Sequence, residues 1–285
     1  MYAITGASGK LGQLTINALL DRGVQASDIV AIVRTPAKVE DLATRGVAVR
    51  AADYDDADSW PAALADVDTL LLISGSENGQ RVPQHTTVID AAKTAGVQRI
   101  AYTSILKADT STSTLAAEHL ATEKLIDASG LQYTILRNSW YLENYLDQAE
   151  NYIAQGALVS AAGDTPFTAA TRADYAAAAA AALVDDGEAN AILELGGDKI
   201  TVAEMAAAVS QASGQDVEYR PVTPDELREI LTSGGVPPTY VDLVVDIDRI
   251  IAAGELDTDS TDLARLVGRP LTTLAEAAKA MLSRR

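Results

Sequence analysis

The chain contains no cysteine. Disulfides, thiolate metal sites and cysteine nucleophiles are excluded together, and folding needs no oxidising milieu. Histidine is nearly as scarce, with two residues, His85 and His119, so no histidine cluster or His-Glu-x-x-His motif is available and no metal is expected. Cations are also in short supply: 22 Lys and Arg stand against 40 Asp and Glu, a formal charge of -18. That balance repels nucleic-acid backbones and anionic membranes. Its simplest consequence is solubility. No stretch offers the ~20 uninterrupted apolar residues of a membrane span. Residues 1–5 run straight into a glycine loop, without the basic and apolar regions of a signal peptide. A cytoplasmic protein with no nucleic-acid or membrane partner is expected, and a homodimer is left open.

A chain of 285 residues buries a sizeable core by itself. Its first half alternates β-branched runs with amphipathic stretches, the pattern of a parallel sheet wound by crossover helices. Strands are expected at 2–5, 29–33, 47–50, 69–73, 99–103 and 131–136, with helices at 11–22, from Thr35-Pro36 onward, at 83–95 and at 115–129. Gly96 and Gly130 stand where helix ends need them. Beyond Asn138 the order is less regular: a helix is expected over 141–155, short strands at 157–159 and 192–195, and an alanine-rich helix around 176–182. The fold class is therefore α/β, a Rossmann-type doubly wound parallel sheet with a smaller C-terminal α+β lobe. An NADP-binding domain over 1–150 and a substrate lobe over 151–285 follow, with a soft boundary and segments free to return to the main sheet.

The loop Gly6-Ala7-Ser8-Gly9-Lys10-Leu11-Gly12 enters from a strand and leaves as a helix. Gly6 suits the tight turn, Gly9 a close approach of backbone to pyrophosphate, and Gly12 close packing of helix on strand. The helix start offers free N–H groups and a positive dipole end. Ser8 adds a hydroxyl, and Lys10 a backbone donor. At the end of the second strand, NAD-specific proteins place an acid against the ribose 2′-OH. This chain has Arg34 there, with Lys38 one turn later, and a guanidinium favours the 2′-phosphate of NADP. A surface ion pair is the competing role for Arg34. Asp53 falls where such folds meet the adenine edge, and Ser74 and Gly75 where a loop passes the nicotinamide-side ribose.

The Tyr-x-x-x-Lys pair that serves many short-chain dehydrogenases as acid and base is missing: none of the 10 tyrosines has lysine four places on. Alcohol dehydrogenation and sugar epimerisation lose their catalytic pair. His119 and Glu123, four apart on one helix face, could act as a proton-delivering pair or simply as a solvated contact. His119 is the weak catalytic candidate. An electron-poor acceptor needs no such group, because nicotinamide supplies the hydride chemistry and the protein positions two flat rings. The aromatic segment with Trp140, Tyr141 and Tyr145 suits the wall of such a slot, or equally core anchors between lobes.

These residues resemble the NmrA-like branch of the atypical short-chain dehydrogenases, in particular its NADPH:quinone oxidoreductase members. The likeness runs through the glycine loop, AIVRTPAK (31–38), LLISGSENGQRVPQH (71–85), AYTSILKADTS (101–111), HLATEKLIDASGLQYTILRNSWYLENY (119–145), TRADYAAAA (171–179) and STDLARLVGRP (260–270). The resemblance implies NADP(H) held by Gly6, Ala7, Ser8, Gly9, Lys10 and Leu11, by Arg34, by Ile73, Ser74 and Gly75, and by Asn138, Trp140 and Tyr141. It implies reduction of a quinone or dye-like acceptor, with Tyr145, Phe167 and Arg172 shaping its site. The branch also includes non-catalytic sensors of NADP(H) redox state, the alternative reading.

Overall fold

A computed structural model describes residues 1–77, 79–185 and 189–283. Six strands come first: β1 (Tyr2–Ile4), β2 (Ile29–Val33), β3 (Ala48–Ala51), β4 (Thr69–Leu72), β5 (Arg99–Ile105) and β6 (Gln132–Asn138). Between them lie α1 (Lys10–Asp21), α2 (Glu40–Thr44), α3 (Trp60–Ala63), α4 (Arg81–Ala95) and α5 (Thr114–Ser129). Next come β7 (Trp140–Tyr141), α6 (Glu143–Leu146), α7 (Ala149–Gln155), β8 (Ala157–Ser160), β9 (Phe167–Ala170), α8 (Arg172–Val184) and β10 (Ala191–Leu195). The last are β11 (Asp198–Ile200), α9 (Val202–Ser213), β12 (Glu218–Pro221), α10 (Pro224–Ser233), α11 (Pro238–Ala252), α12 (Asp262–Val267) and α13 (Leu274–Leu282).

The main sheet has seven strands in the order β10-β6-β5-β4-β1-β2-β3, and every neighbouring pair is parallel. β2 is buried along its whole length, as a strand covered on both faces must be. Strand order reverses between β1 and β4, which opens a crevice at their carboxyl ends. Helix ends follow local chemistry. Ser113 caps α5 by accepting from the Leu115 amide, and α4 and α5 stop at Gly96 and Gly130, both left-handed at φ 79°.

One open point of the sequence reading becomes specific and one expectation changes. The sheet gains β10, which pairs with β6 from Ala191 opposite Thr134 to Leu195 opposite Asn138. β10 is an edge strand with Ile192 half-exposed, so it lacks the continuous apolar run of a central strand. The alanine-rich α8 packs against α1, where the buried methyls of Ala178 to Ala182 let two backbones approach. Residues 172–184 and 191–195 therefore belong to the main sheet and its helical layer. The expected helix over 141–155 is also divided. Trp140 and Tyr141 form a short strand parallel to Ala169 and Ala170 of β9, and only then do α6 and α7 follow. The smaller lobe pairs β8 with β12 and adds β11 to β9, around Leu158, Phe167, Met205, Val209, Ile250 and Ile251.

One buried cation ties the β10 edge of the main sheet to α5 and the loop after β5. Arg137 of β6 holds Glu123 of α5 through Nε at 3.0 Å and Nη2 at 2.7 Å. Its Nη1 reaches Asp109 at 2.9 Å and Glu194 of β10 at 2.8 Å. Arg137 and Glu123 are both almost fully buried, and removing one partner of such a pair costs about 3–5 kcal/mol because the other charge is stranded. Arg137→Met is expected to lower the unfolding free energy by about that amount, while Arg137→Met with Glu123→Met loses less than the single variant. Urea unfolding of the two variants measures the difference.

Candidate functional site

The turn between β1 and α1 is held by its own backbone. Gly6 sits at φ +58°, and its carbonyl accepts from the Gly9 amide at 2.9 Å. A Cβ on Gly12 would lie 2.6 Å from the Gly6 carbonyl oxygen and 2.7 Å from Ala7 Cα, so no larger residue fits. The glycine thus packs against the loop itself, where close packing on the strand was expected. Ala7 has no exposed surface and its amide donates to the Ile32 carbonyl at 3.2 Å, and Leu11 is nearly buried. No side chain caps α1, and no acid stands in its first turn. Its first N–H groups and dipole end are left to an anion.

One cleft at the carboxyl ends of the strands is lined by Gly6, Ser8, Gly9, Arg34, Asp53, Ile73, Ser74 and Gly75, with Tyr54, Trp60, Glu77 and Gln84 added. Arg34 is largely exposed at its rim and faces Glu77, Nη1 to Oε1 at 3.7 Å. Both roles foreseen for Arg34 are thus compatible, since an exposed pair of this kind is worth little and a phosphate can displace it. Asp53 shapes the loop after β3: its Oδ1 accepts from the Asp55 amide and its carbonyl from Trp60 Nε1.

Tyr54 was not foreseen. Its ring stacks on Trp60 with centroids 5.8 Å apart and planes 18° off parallel. Its hydroxyl donates to the Ile73 carbonyl at 2.9 Å and lies 2.6 Å from Thr5 Oγ1, which in turn accepts from the Ile73 amide. Burial raises the phenol above its usual range, so it stays protonated. A lone aromatic after a strand carries no sequence signal for this role; only the folded loop brings it to Thr5.

Ser74 and Gly75 are fixed from below. The Ser74 amide donates to Thr103 Oγ1 and the Gly75 amide to His85 Nε2, at 2.9 and 3.0 Å. An amide can only donate, so Nε2 is the acceptor and the proton of neutral His85 is on Nδ1, 3.0 Å from Thr122 Oγ1. Burial, reinforced by the Arg81 guanidinium, lowers His85 to about 3.

His119 and Glu123 do not form a pair. His119 Nδ1 is 2.7 Å from the buried Tyr102 hydroxyl, whereas Glu123 accepts from Arg137 and from Ser104 Oγ. Both are buried, which replaces the solvated contact considered from the sequence. Burial holds His119 well below its usual range, and Arg81 and His85 add to the effect. It is a neutral partner of Tyr102, with no proton to spare near neutrality.

The remaining expected residues lie along β6, β7 and the seam with the smaller lobe, and do not line this cleft. Asn138 Nδ2 donates to the Tyr141 hydroxyl at 3.2 Å, while its buried Oδ1 has no partner among the described residues. The Arg172 guanidinium lies over the Tyr141 ring, 5.4 Å from its centroid. Asp147 meets Lys10 at 2.8 Å and Arg172 at 4.0 Å. The backbone amide of Arg172 donates to Glu143. Trp140 and Tyr141 keep partial exposure. Phe167 has none and Tyr145 little; their rings pack 6.0 Å apart. Phe167 is thus a core anchor, placed to support a wall from behind.

The glycine turn, the open helix end and the strand order together describe a dinucleotide site. The profile of the NAD(P)H-binding family matches residues 6–186. The chain belongs to that family. Quinone oxidoreductase 2 of Escherichia coli is 49% identical to it over 278 residues, 97% of each chain. The crystal structure of the NADPH-dependent quinone oxidoreductase of Escherichia coli complexed with NADPH superposes with a TM-score of 0.95 at 48% identity, covering 99% of this chain and 100% of that one. The triphenylmethane reductase of Citrobacter sp. complexed with NADP(H) gives 0.93 at 38% identity, covering 99% and 100%. Among the described residues no helix is long and apolar enough to cross a membrane.

The buried histidines make acid stability testable. Above pH 7 both are neutral whether the chain is folded or not. Between about 6.5 and 3 the unfolded chain takes up a proton that folded His85 refuses, so stability falls as pH falls, by about 1.4 kcal/mol per unit for such a histidine. Urea unfolding at stepped pH should show a shallower decline for His85→Gln than for the parent chain. Parallel declines would contradict the depressed His85.

Proposed function

We propose that this chain is an NADPH-dependent reductase of quinones or similarly electron-poor acceptors. The observation that carries the reading is the combination of an uncapped α1 N-terminus and a rim arginine, in a chain alike over 97% of its length to a quinone oxidoreductase. The geometry suits the cofactor. Gly6, Ser8, Lys10 and Leu11 bring backbone donors to the phosphates, Gly9 lets the backbone come close while its own amide stays on the Gly6 carbonyl, and Arg34 takes the 2′-phosphate in place of Glu77. Asp53 and Tyr54 border the adenine, and Ile73, Ser74 and Gly75 border the second ribose. Asn138 Oδ1, a buried acceptor without a partner, suits an amide donor such as the nicotinamide carboxamide, since burying it unpaired costs about 1–3 kcal/mol.

Bound NADPH supplies the hydride. The chain's residues position the rings, with Trp140, Tyr141 and Arg172 as the acceptor wall and Tyr145 and Phe167 behind it. The proton that completes the quinol comes from water. His119 is held neutral against Tyr102 and Glu123 is taken by Arg137, so neither is a proton donor in this scheme.

NADPH absorbance should fall on addition of a simple benzoquinone or naphthoquinone. Tight NADPH binding without oxidation across a quinone and dye panel would sink the enzyme reading in favour of a redox sensor. Arg34→Ala should weaken NADPH about 10- to 100-fold, the worth of a charge-assisted contact, and NADH by no more than about threefold. Titration of both cofactors decides, and an equal loss would remove the phosphate contact.

A further inference from the structure

Three successive amides in the loop after β4 are already spent. Ile73 donates to Thr5 Oγ1, Ser74 to Thr103 Oγ1 and Gly75 to His85 Nε2. The Ile73 carbonyl accepts from Tyr54, and the Gly75 carbonyl accepts twice from Arg81, through Nε at 3.0 Å and Nη2 at 2.9 Å. Both polar atoms of Gly75 are therefore held by side chains of α4, four residues apart on one helix face.

These two side chains are themselves backed by α5. Arg81 Nη1 pairs with Glu118, whose Oε1 accepts from the Gly79 amide at 2.7 Å. His85 Nδ1 meets Thr122, one turn beyond Glu118. Arg81 and His85 are almost fully buried. A buried guanidinium spent on a loop carbonyl is costly unless its geometry is fixed on every side, and here it is. What the loop still offers are oxygens: the Ser74 carbonyl, and Ser74 Oγ, which accepts from Thr103 at 3.3 Å and keeps its own proton. Such a surface suits a hydroxyl-bearing sugar and disfavours phosphate, which needs the amides that Thr5, Thr103 and His85 have taken.

We propose that Arg81 and His85 are positioning residues that fix residues 73–75 as an amide-depleted cradle for the nicotinamide-side ribose of the cofactor. The inference rests on the reading that this loop faces that half of the cofactor. Neither residue touches the cofactor in it; they act through the Gly75 peptide.

The test compares NADPH with adenosine 2′,5′-bisphosphate, which has the adenine and 2′-phosphate but no nicotinamide half, by titration calorimetry on the full chain. Arg81→Met and His85→Leu should each bind NADPH about tenfold more weakly, with the bisphosphate within about twofold of the parent. His85→Gln, whose Oε1 can accept from the Gly75 amide, should recover most of the loss. Arg81→Lys, with one ammonium for two acceptors, should lie between, and it decides the matter if the Met variant does not fold. Equal losses for both ligands would mean that the clamp serves only the fold, and would overturn the proposal. Ser74→Trp separates the remaining outcomes. If it leaves NADPH affinity unchanged, the loop does not face the cofactor and the underlying placement fails. If it abolishes NADPH binding while the α4 variants bind normally, the placement stands and the positioning role is overturned.

Discussion

The site hangs on one close approach, where the backbone of Gly6 and Ala7 comes so near Gly12 that a single added carbon would clash with both. That contact starts α1 immediately after β1 and points its first amides across the carboxyl end of the sheet. It also fixes α1 as the surface on which α8 packs, so the small side chains of a distant helix depend on the same turn. Without it the first amides of α1, the crevice and the outer helical layer would all lose their reference.

Around that turn the rim divides its hydrogen-bonding labour. The start of α1 leaves its first amides without a capping side chain. The loop after β4 does the opposite and spends its amides on Thr5, Thr103 and His85. The two loops are neighbours across the β1–β4 switch point, so donors and acceptors alternate along one crevice. Buried polar groups without partners are expensive, which is why the acceptor loop needs the deep support of α4 and α5.

Charge is distributed with equal economy. In a chain of formal charge -18 five cations near the crevice have acidic partners: Lys10 and Arg172 with Asp147, Arg34 with Glu77, Arg81 with Glu118 and Arg137 with Glu123. Burial separates their roles. Arg81 and Arg137 are enclosed and hold backbone or carboxylate in fixed geometry, where loss of a partner is severe. Lys10 and Arg34 are exposed, their pairs are weak, and an incoming phosphate can replace the carboxylate.

The sequence by itself determined what depends on neighbours along the chain. The β1–α1 turn, the buried apolar strands and the glycine helix ends are local patterns, and they sufficed for the α/β class and the NAD(P)H-binding family. Tertiary structure decided what depends on distant residues. β10 joined the main sheet because an edge strand shows only a broken apolar pattern. Trp140 and Tyr141 became a strand because β9 offered them hydrogen bonds. Phe167 went into a core, and His119 and Glu123, adjacent on a helix, found separate partners on β5 and β6. Tyr54, Arg81 and His85 entered the site on contacts spanning 6 to 49 positions. A side chain's hydrogen-bond partner is chosen by folded proximity and by the cost of leaving a buried group unpaired, and neither is written in local sequence.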